Sequence, residues 1–325
     1  MIAIHENKVL YVQSLFKIEI ENQREKALTK LKKINKNQFN TAEKNYLRSV
    51  IRLFEKNSSI KIIECVPNTI ETLIVSIGSI PPNSRFYKNG KPKKTLKKFI
   101  LDALNYKYLR GTFYPIYFKE LGIKSCVYCN SQLSITAVKS NGTYSAKFDV
   151  DHYYSRDKYP FLSISLFNLY PACASCNRVK SNNKIEFELY TLDSKKTTKS
   201  KYNFKMSSYS KSKYLTTRDA QEINFSFSEP TYNDPIAKKF NDVFHIESIY
   251  ETQKDLIEEL IIKSQIYNKS YLKSLNENFN KLSLHPELFK RLLVGNYTQD
   301  KDIHKRPMSK IVMDIAKQLN LIREE

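Results

Sequence analysis

Long apolar runs are missing from this chain. Nowhere do about 18 hydrophobic residues follow one another without interruption, which removes the usual signature of a membrane-spanning helix. The opening residues, M-I-A-I-H-E-N-K, hold neither a basic stretch leading into an apolar one nor a small-residue cleavage site, so export is not expected. Cysteine is scarce as well. Five cysteines in 325 residues are too few and too clustered for a disulfide scaffold, and their two-residue spacing favours a metal in a reducing compartment. The expected location is therefore the cytoplasm, with no membrane partner. No fixed-period repeat is present, which disfavours a solenoid. Acidic residues are short in supply, 33 against 54 Lys and Arg, leaving a net charge of +21. Such a field attracts polyanions and speeds encounter with nucleic acid. Ribosomal, membrane-surface and merely soluble Lys-rich proteins share that balance, so charge alone names no partner.

What is present is enough apolar material, 41% hydrophobic and 12% aromatic, to bury a core and two or three subdomains. Residues 1–110 read as a helical N-terminal region. Asn40-Thr41-Ala42-Glu43 has the form of a capping box, and Leu47, Val50, Ile51 and Phe54 behind it fall on one helical stripe. Residues 85–110 carry nine Lys or Arg and a single acid, Asp102, over a helical apolar face, which is either a solvated lysine face or a phosphate-contacting helix. The next helix is aromatic and ends at Gly122, and it leads into a 111–193 core. Residues 194–235 read as a basic linker or arm with a short strand near Ile223 to Phe227. Its first part, 194–218, holds seven Lys, one Arg and no acid among Tyr202, Phe204, Tyr209 and Tyr214, and is read either as a nucleic-acid arm or as a polar linker. Residues 236–325 return to helix. His245, His285 and His304 lie there without a second ligand at metal spacing and are read as structural or surface residues. Cys65, alone among apolar neighbours, is expected to be a buried small hydrophobe.

Chemistry concentrates between Cys126 and Lys180. Cys126 and Cys129 form one pair, and Cys173 and Cys176 form a second pair 43 residues later, together four soft thiolates suited to tetrahedral Zn2+. The insert between them must fold back to bring the pairs together. Within it, Gln132 to Val138 and Tyr144 to Val150 flank Asn141-Gly142, a hairpin signal. The second arm ends in Asp149-Val150-Asp151-His152. A carboxylate suits a hard divalent ion, and an adjacent neutral imidazole can take a proton from water. Asn168 precedes the second cysteine pair, and the segment from Ala174 should be helical, placing Asn177 and Lys180 one turn apart. The Asn177 amide oxygen can complete a Mg2+ site, and Lys180 can hold a phosphate.

Asp-His, then Asn, then Cys-x-x-Cys-Asn-x-x-Lys resembles the HNH nuclease family, whose ββα-metal unit is often braced by a four-cysteine zinc. D-V-D-H and N-R-V-K-S are particularly similar to the HNH domain of RNA-guided CRISPR effectors, in which the final metal-binding position is likewise Asn. The resemblance covers about 60 of the 325 residues. It implies an α+β fold in which a small zinc-braced nuclease core sits between mainly helical flanks. It further implies His152 as general base, Asp151 and Asn177 as ligands of a catalytic metal, Asn168 as the residue that orients His152, and Lys180 as a basic neighbour, with Asp149 as a reserve ligand. Asn in place of a final His favours Mg2+ or Mn2+ over a tightly held transition ion. The proline usual shortly after Asp-His is displaced to Pro160. The function implied is phosphodiester hydrolysis of nucleic acid, DNA first, in the manner of an anti-phage effector, for which an ATPase or another defence-system protein is a compatible partner. The alternative is a zinc-stapled nucleic-acid-binding module without catalysis.

Overall fold

A computed structural model describes residues 1–82, 87–88, 91–92, 94–281 and 285–322. The chain runs through β1 (Ile4–His5), α1 (Glu6–Leu15), α2 (Lys17–Lys32), α3 (Thr41–Leu53), α4 (Pro67–Ile77), the strand pair β2 (Tyr87–Lys88) and β3 (Lys91–Pro92), α5 (Leu96–Leu104) and α6 (Tyr106–Leu121). Strands β4 (Thr136–Val138), β5 (Tyr144–Ala146), β6 (Asp149–His152) and β7 (Leu169–Ala172) follow, and α7 (Ala174–Lys180) begins directly behind β7. Next come β8 (Tyr190–Thr191), α8 (Ser194–Thr198), β9 (Asn203–Met206), α9 (Ser208–Thr217) and β10 (Phe225–Ser228). The chain closes with α10 (Phe240–Phe244), α11 (Ile246–Glu251), α12 (Lys254–Ile266), α13 (Lys269–Lys281), α14 (Pro286–Val294) and α15 (Ser309–Gln318). Among the described residues helix takes up 55%, and the strands pair only two by two. No sheet is wide enough to found a core, so packing falls to helices and aromatic side chains.

The chain divides into two compact units. An N-terminal unit comprises His5–Leu121 and Thr136–Pro171, and a C-terminal unit comprises Met1–Ile4, Gly122–Ile135 and Ala172–Glu325. The expected core segment 111–193 therefore contributes to both.

In the N-terminal unit the capping box forms as expected: Glu43 N–H donates to Asn40 Oδ1 at 2.9 Å, and Asn40 N–H donates to Glu43 Oε2 at 3.1 Å. Two orphan donors at the start of α3 are satisfied at once, while Leu47, Val50 and Ile51 turn inward. The expected helix at 85–110 proves to be α5 and the start of α6, broken at Asn105, which takes a left-handed conformation with φ of 58°. Residues 85, 86, 89, 90 and 93 of that basic segment lie outside the described residues. Helix α6 buries Tyr106, Leu109, Phe113, Tyr114, Tyr117, Phe118 and Leu121, and Phe16 meets both Phe113 and Tyr117 edge to face.

The expected hairpin across Asn141-Gly142 is present but shorter than the pattern suggests. Thr136, Ala137 and Val138 pair antiparallel with Ala146, Ser145 and Tyr144. Gly142 supplies the left-handed turn residue at φ of 76°. The second arm then breaks instead of running on to Val150, because Phe148 turns inward against Phe118, with ring centroids 5.7 Å apart. Asp149–His152 starts afresh as β6 and pairs with β7.

In the C-terminal unit, β9 and β10 pair antiparallel, Phe204 opposite Phe227 and Met206 opposite Phe225. The other edge of β9 is covered by α15, whose side chains take its backbone groups: Phe204 N–H donates to Asp314 Oδ2 at 2.8 Å, and Gln318 bonds both the N–H and the carbonyl of Met206. This corrects the reading of 194–218 as an arm or linker. The segment folds as α8, β9 and α9, and Tyr202, Phe204 and Tyr214 are buried core residues while only Tyr209 is exposed. The physical reason lies in β9, where Phe204 and Met206 face inward while Asn203 and Lys205 between them face out.

Candidate active site and metal centre

The four-cysteine centre lies wholly within the C-terminal unit. After Gly122 the chain enters a tight turn in which Asn130 N–H donates to the Cys126 carbonyl at 2.9 Å and Cys126 N–H to Gln132 O at 2.8 Å. Asn130 adopts a left-handed conformation (φ 53°), which Asn tolerates better than most residues, and its side-chain amide donates to Ile303 O and Ser125 Oγ. Cys173 caps α7 and Cys176 lies one turn inside it, so the second pair is carried on a helix start. The four sulfurs lie within 4.8 Å of one another, with Cys129 Sγ 4.0 Å from Cys173 Sγ. A tetrahedral zinc with Zn–S bonds of about 2.3 Å would set sulfurs roughly 3.8 Å apart, so the cluster can hold a metal ion with little movement.

Donors surround the sulfurs. Cys173 N–H points at Cys126 Sγ (3.2 Å), Cys176 N–H at Cys173 Sγ (3.4 Å) and the Ser131 hydroxyl at Cys129 Sγ (3.1 Å). Such bonds stabilise thiolates. Hydrogen bonds from the Cys126, Cys173 and Cys176 thiols hold Cys129 far below the usual thiol range, while Cys126 is raised by burial. Tyr250, fully buried, donates its hydroxyl to the Cys129 carbonyl at 2.8 Å and so ties α11 to the turn.

Asp151, His152 and Asn168 fall in the N-terminal unit, and all three are buried. The His152 ring places Nε2 3.0 Å from the Ser163 carbonyl oxygen. A carbonyl only accepts, so Nε2 carries the proton, and in the neutral ring the lone pair sits on Nδ1. The Tyr106 ring lies beside the imidazole with centroids 4.8 Å apart, and its hydroxyl donates to Val150 O at 3.0 Å, one residue before Asp151. Burial pushes the Tyr106 phenol up to about 12, so it stays a donor at neutral pH. Asp149 forms an ion pair with Arg110 of α6, which engages the residue read as a reserve ligand.

Asn168, expected to orient His152, bonds the loop that follows it: its Oδ1 accepts from Tyr154 N–H at 2.7 Å, and its Nδ2 donates to Tyr154 O and Leu162 O, so it pins both ends of the 154–162 stretch. One group that fixes the His152 ring is the Ser163 carbonyl, the residue next after that stretch.

Asn177 and Lys180 lie on α7 in the C-terminal unit, Asn177 half-buried. Lys180, expected as a basic neighbour able to hold a phosphate, is buried at 1% exposure, one helical turn from Asn177. His304 proves structural, with Nε2 2.8 Å from Ile2 O, and His285 caps α14 by accepting from Glu287 N–H. Cys65 is buried beside Ser165 Oγ (3.3 Å), and burial pushes its thiol up to about 11.

No protein-family model, curated protein or solved structure matches this chain. Its chemistry is therefore read from its own residues. Sequence reasoning missed Ser163, Tyr106 and Arg110. The first acts through its backbone, which leaves no side-chain signal, and the other two sit on a helix more than 35 residues upstream of His152.

Proposed function

We propose that the chain is a metal-dependent endonuclease of the HNH type, hydrolysing phosphodiester bonds of DNA, with its chemistry centred on His152 of β6. The observation that carries this reading is His152: a buried imidazole at a strand end, locked through Nε2–H to a backbone carbonyl so that Nδ1 is the basic nitrogen, with the Asp151 carboxylate next in sequence. The order strand, strand, then a helix opened by the second cysteine pair supports it further.

His152 would take a proton from the attacking water at Nδ1, while the other proton stays on Nε2, donated to the Ser163 carbonyl. The hard carboxylate oxygens of Asp151 suit Mg2+ or Mn2+, an ion that when bound would supply positive charge to the scissile phosphate and the leaving oxygen. Asn168 would keep the 154–162 loop, and with it the Ser163 carbonyl, in place. The four cysteines, holding zinc, would brace the start of α7.

The test is cleavage of plasmid and single-stranded DNA by purified protein with Mg2+ or Mn2+, set beside His152→Ala. The variant is expected to lose cleavage by about 10²–10⁴-fold, the usual worth of a general base, while keeping zinc and fold. Equal cutting by the variant defeats the assignment. Salt-sensitive DNA binding without strand loss by the parent protein, alone or with a defence-system partner such as an ATPase, would favour the zinc-stapled binding module instead.

A further inference from the structure

A groove of about 470 Å³ lies within the N-terminal unit, walled by α6 on one side and by the β4–β5 hairpin on the other. Tyr106, Lys107, Arg110, Lys139, Tyr144 and Arg156 line it, and no Asp or Glu does. Arg110 is paired with Asp149. Lys107, Lys139 and Arg156 are exposed, and among the described residues none has a carboxylate within salt-bridge distance. Some lysines elsewhere on the same unit do pair, Lys94 and Lys98 with Asp102 and Lys97 with Asp157, whereas others, such as Lys26, Lys30 and Lys32 on α2, stand apart from any carboxylate among the described residues but face no common concavity. Three cations facing one concavity repel one another, and an anion with several charges in a row relieves that repulsion.

The groove also connects to the candidate site through a single ring. Tyr106 forms part of its wall, carries the Arg156 guanidinium 5.3 Å from its centroid, and lies 4.8 Å from the His152 ring. Because the Tyr106 hydroxyl is tied to Val150 O, that shared wall is held to the strand bearing Asp151 and His152. The lining has no exposed large apolar side chain of the kind that enters a lipid surface.

We infer that this groove, through Lys107, Lys139 and Arg156, binds the phosphodiester backbone of nucleic acid and leads it to His152. The inference rests on the nuclease reading for the identity of the ligand. The binding itself involves no zinc ligand and none of the residues proposed for the chemistry.

The experiment measures anisotropy of a fluorescent 20-nucleotide DNA, single-stranded in one arm and duplex in the other, between about 50 and 200 mM salt. All proteins carry His152→Ala so that the probe survives. The triple variant Lys107→Gln, Lys139→Gln, Arg156→Gln is compared with Lys26→Gln, Lys30→Gln, Lys32→Gln, which removes equal charge from exposed positions on α2 of the same unit. The groove variant is expected to bind at least tenfold more weakly at 100 mM salt. Its slope of log affinity against log salt should fall by about 2 on the single strand and nearer 3 on the duplex. The α2 variant should keep both. Lys139→Gln alone, on the exposed hairpin turn, should lower the slope by about a third as much as the triple variant and so guards against a folding artefact in it. Equal losses in the groove and α2 variants would mean that overall charge does the binding, and would overturn the site. So would displacement of the probe by polyglutamate at a concentration of charge equal to that of DNA. A groove variant that binds normally while the parent protein cuts overturns the groove and leaves the nuclease standing. Weakened binding by the groove variant with no cleavage by the parent keeps the groove and defeats the nuclease.

Discussion

Around the four cysteines, backbone N–H groups of Cys173 and Cys176 and the Ser131 hydroxyl converge on sulfur, and the residues they serve lie no more than three positions away or across the cluster itself. Around His152 the fixings come from farther off: the Ser163 carbonyl eleven residues on, and the ring of Tyr106 on α6. The first centre is four like groups whose thiolate forms would repel, so in that form a bound cation would hold it together. The second has none of that dependence, since its side chains are seated by packing and by a loop pinned at Asn168. Metal and loop should then be separable: removing one should leave the other's signature in place.

The largest effect should follow loss of one of the four sulfurs proposed to hold zinc. Cys176→Ser takes one of four sulfurs, and structural zinc is worth about 10–16 kcal/mol in small zinc peptides, as much as the whole stability of an ordinary domain. Zinc content, read with a chromogenic chelator, should fall to a small fraction of one per chain. The thermal transition of the C-terminal unit should broaden or vanish. Full zinc retention with an unchanged transition would show that three sulfurs suffice and that the centre is less closed than it looks.

A smaller and opposite pattern is expected for Asn168→Ala. The substitution strands the Tyr154 N–H, which loses its acceptor, and leaves the Tyr154 and Leu162 carbonyls one donor short, at a site with no solvent exposure. A cost of about 2–4 kcal/mol follows from the usual penalty for such groups. The unfolding midpoint should drop by several degrees with zinc content unchanged. Cleavage should fall as the Ser163 carbonyl loses its fixed position. A protein with normal stability but no cleavage would instead return Asn168 to direct contact with the reaction.

The contrast between the two centres also explains what could be read in advance. Cys126, Cys129, Cys173 and Cys176 are legible because paired spacing is itself the geometric requirement of the metal. Asn40 and Glu43 are legible because a capping box is closed within four residues. Tyr202, Phe204 and Tyr214 mislead because a basic stretch dotted with aromatics looks the same whether the rings stack on bases or fill a core. Only the pairing of β9 with β10 and the cover from α15 decide between these, and both partners are distant in sequence. Lys180 is legible only in part, since helical spacing says that it lies one turn from Asn177 but not that its side chain is buried. Asp151 and His152 could be singled out as chemistry, yet the tautomer of His152 depends on a carbonyl that any residue at 163 would supply.

The finest test of the comparison is Tyr106→Phe, which keeps the ring against His152 and removes only the hydroxyl that reaches Val150 O. A buried neutral hydrogen bond of this kind is worth about 1 kcal/mol, with a further cost from the carbonyl left without its donor. Stability should fall by only that much and zinc content not at all. Cleavage should drop a few-fold, since β6 loses one tether while the Ser163 carbonyl still fixes the imidazole. DNA binding in the groove should be unchanged, because the ring and the three cations remain. If cleavage instead falls as far as in His152→Ala, then the tether to Val150, and not the carbonyl at Ser163, is what holds the general base in register.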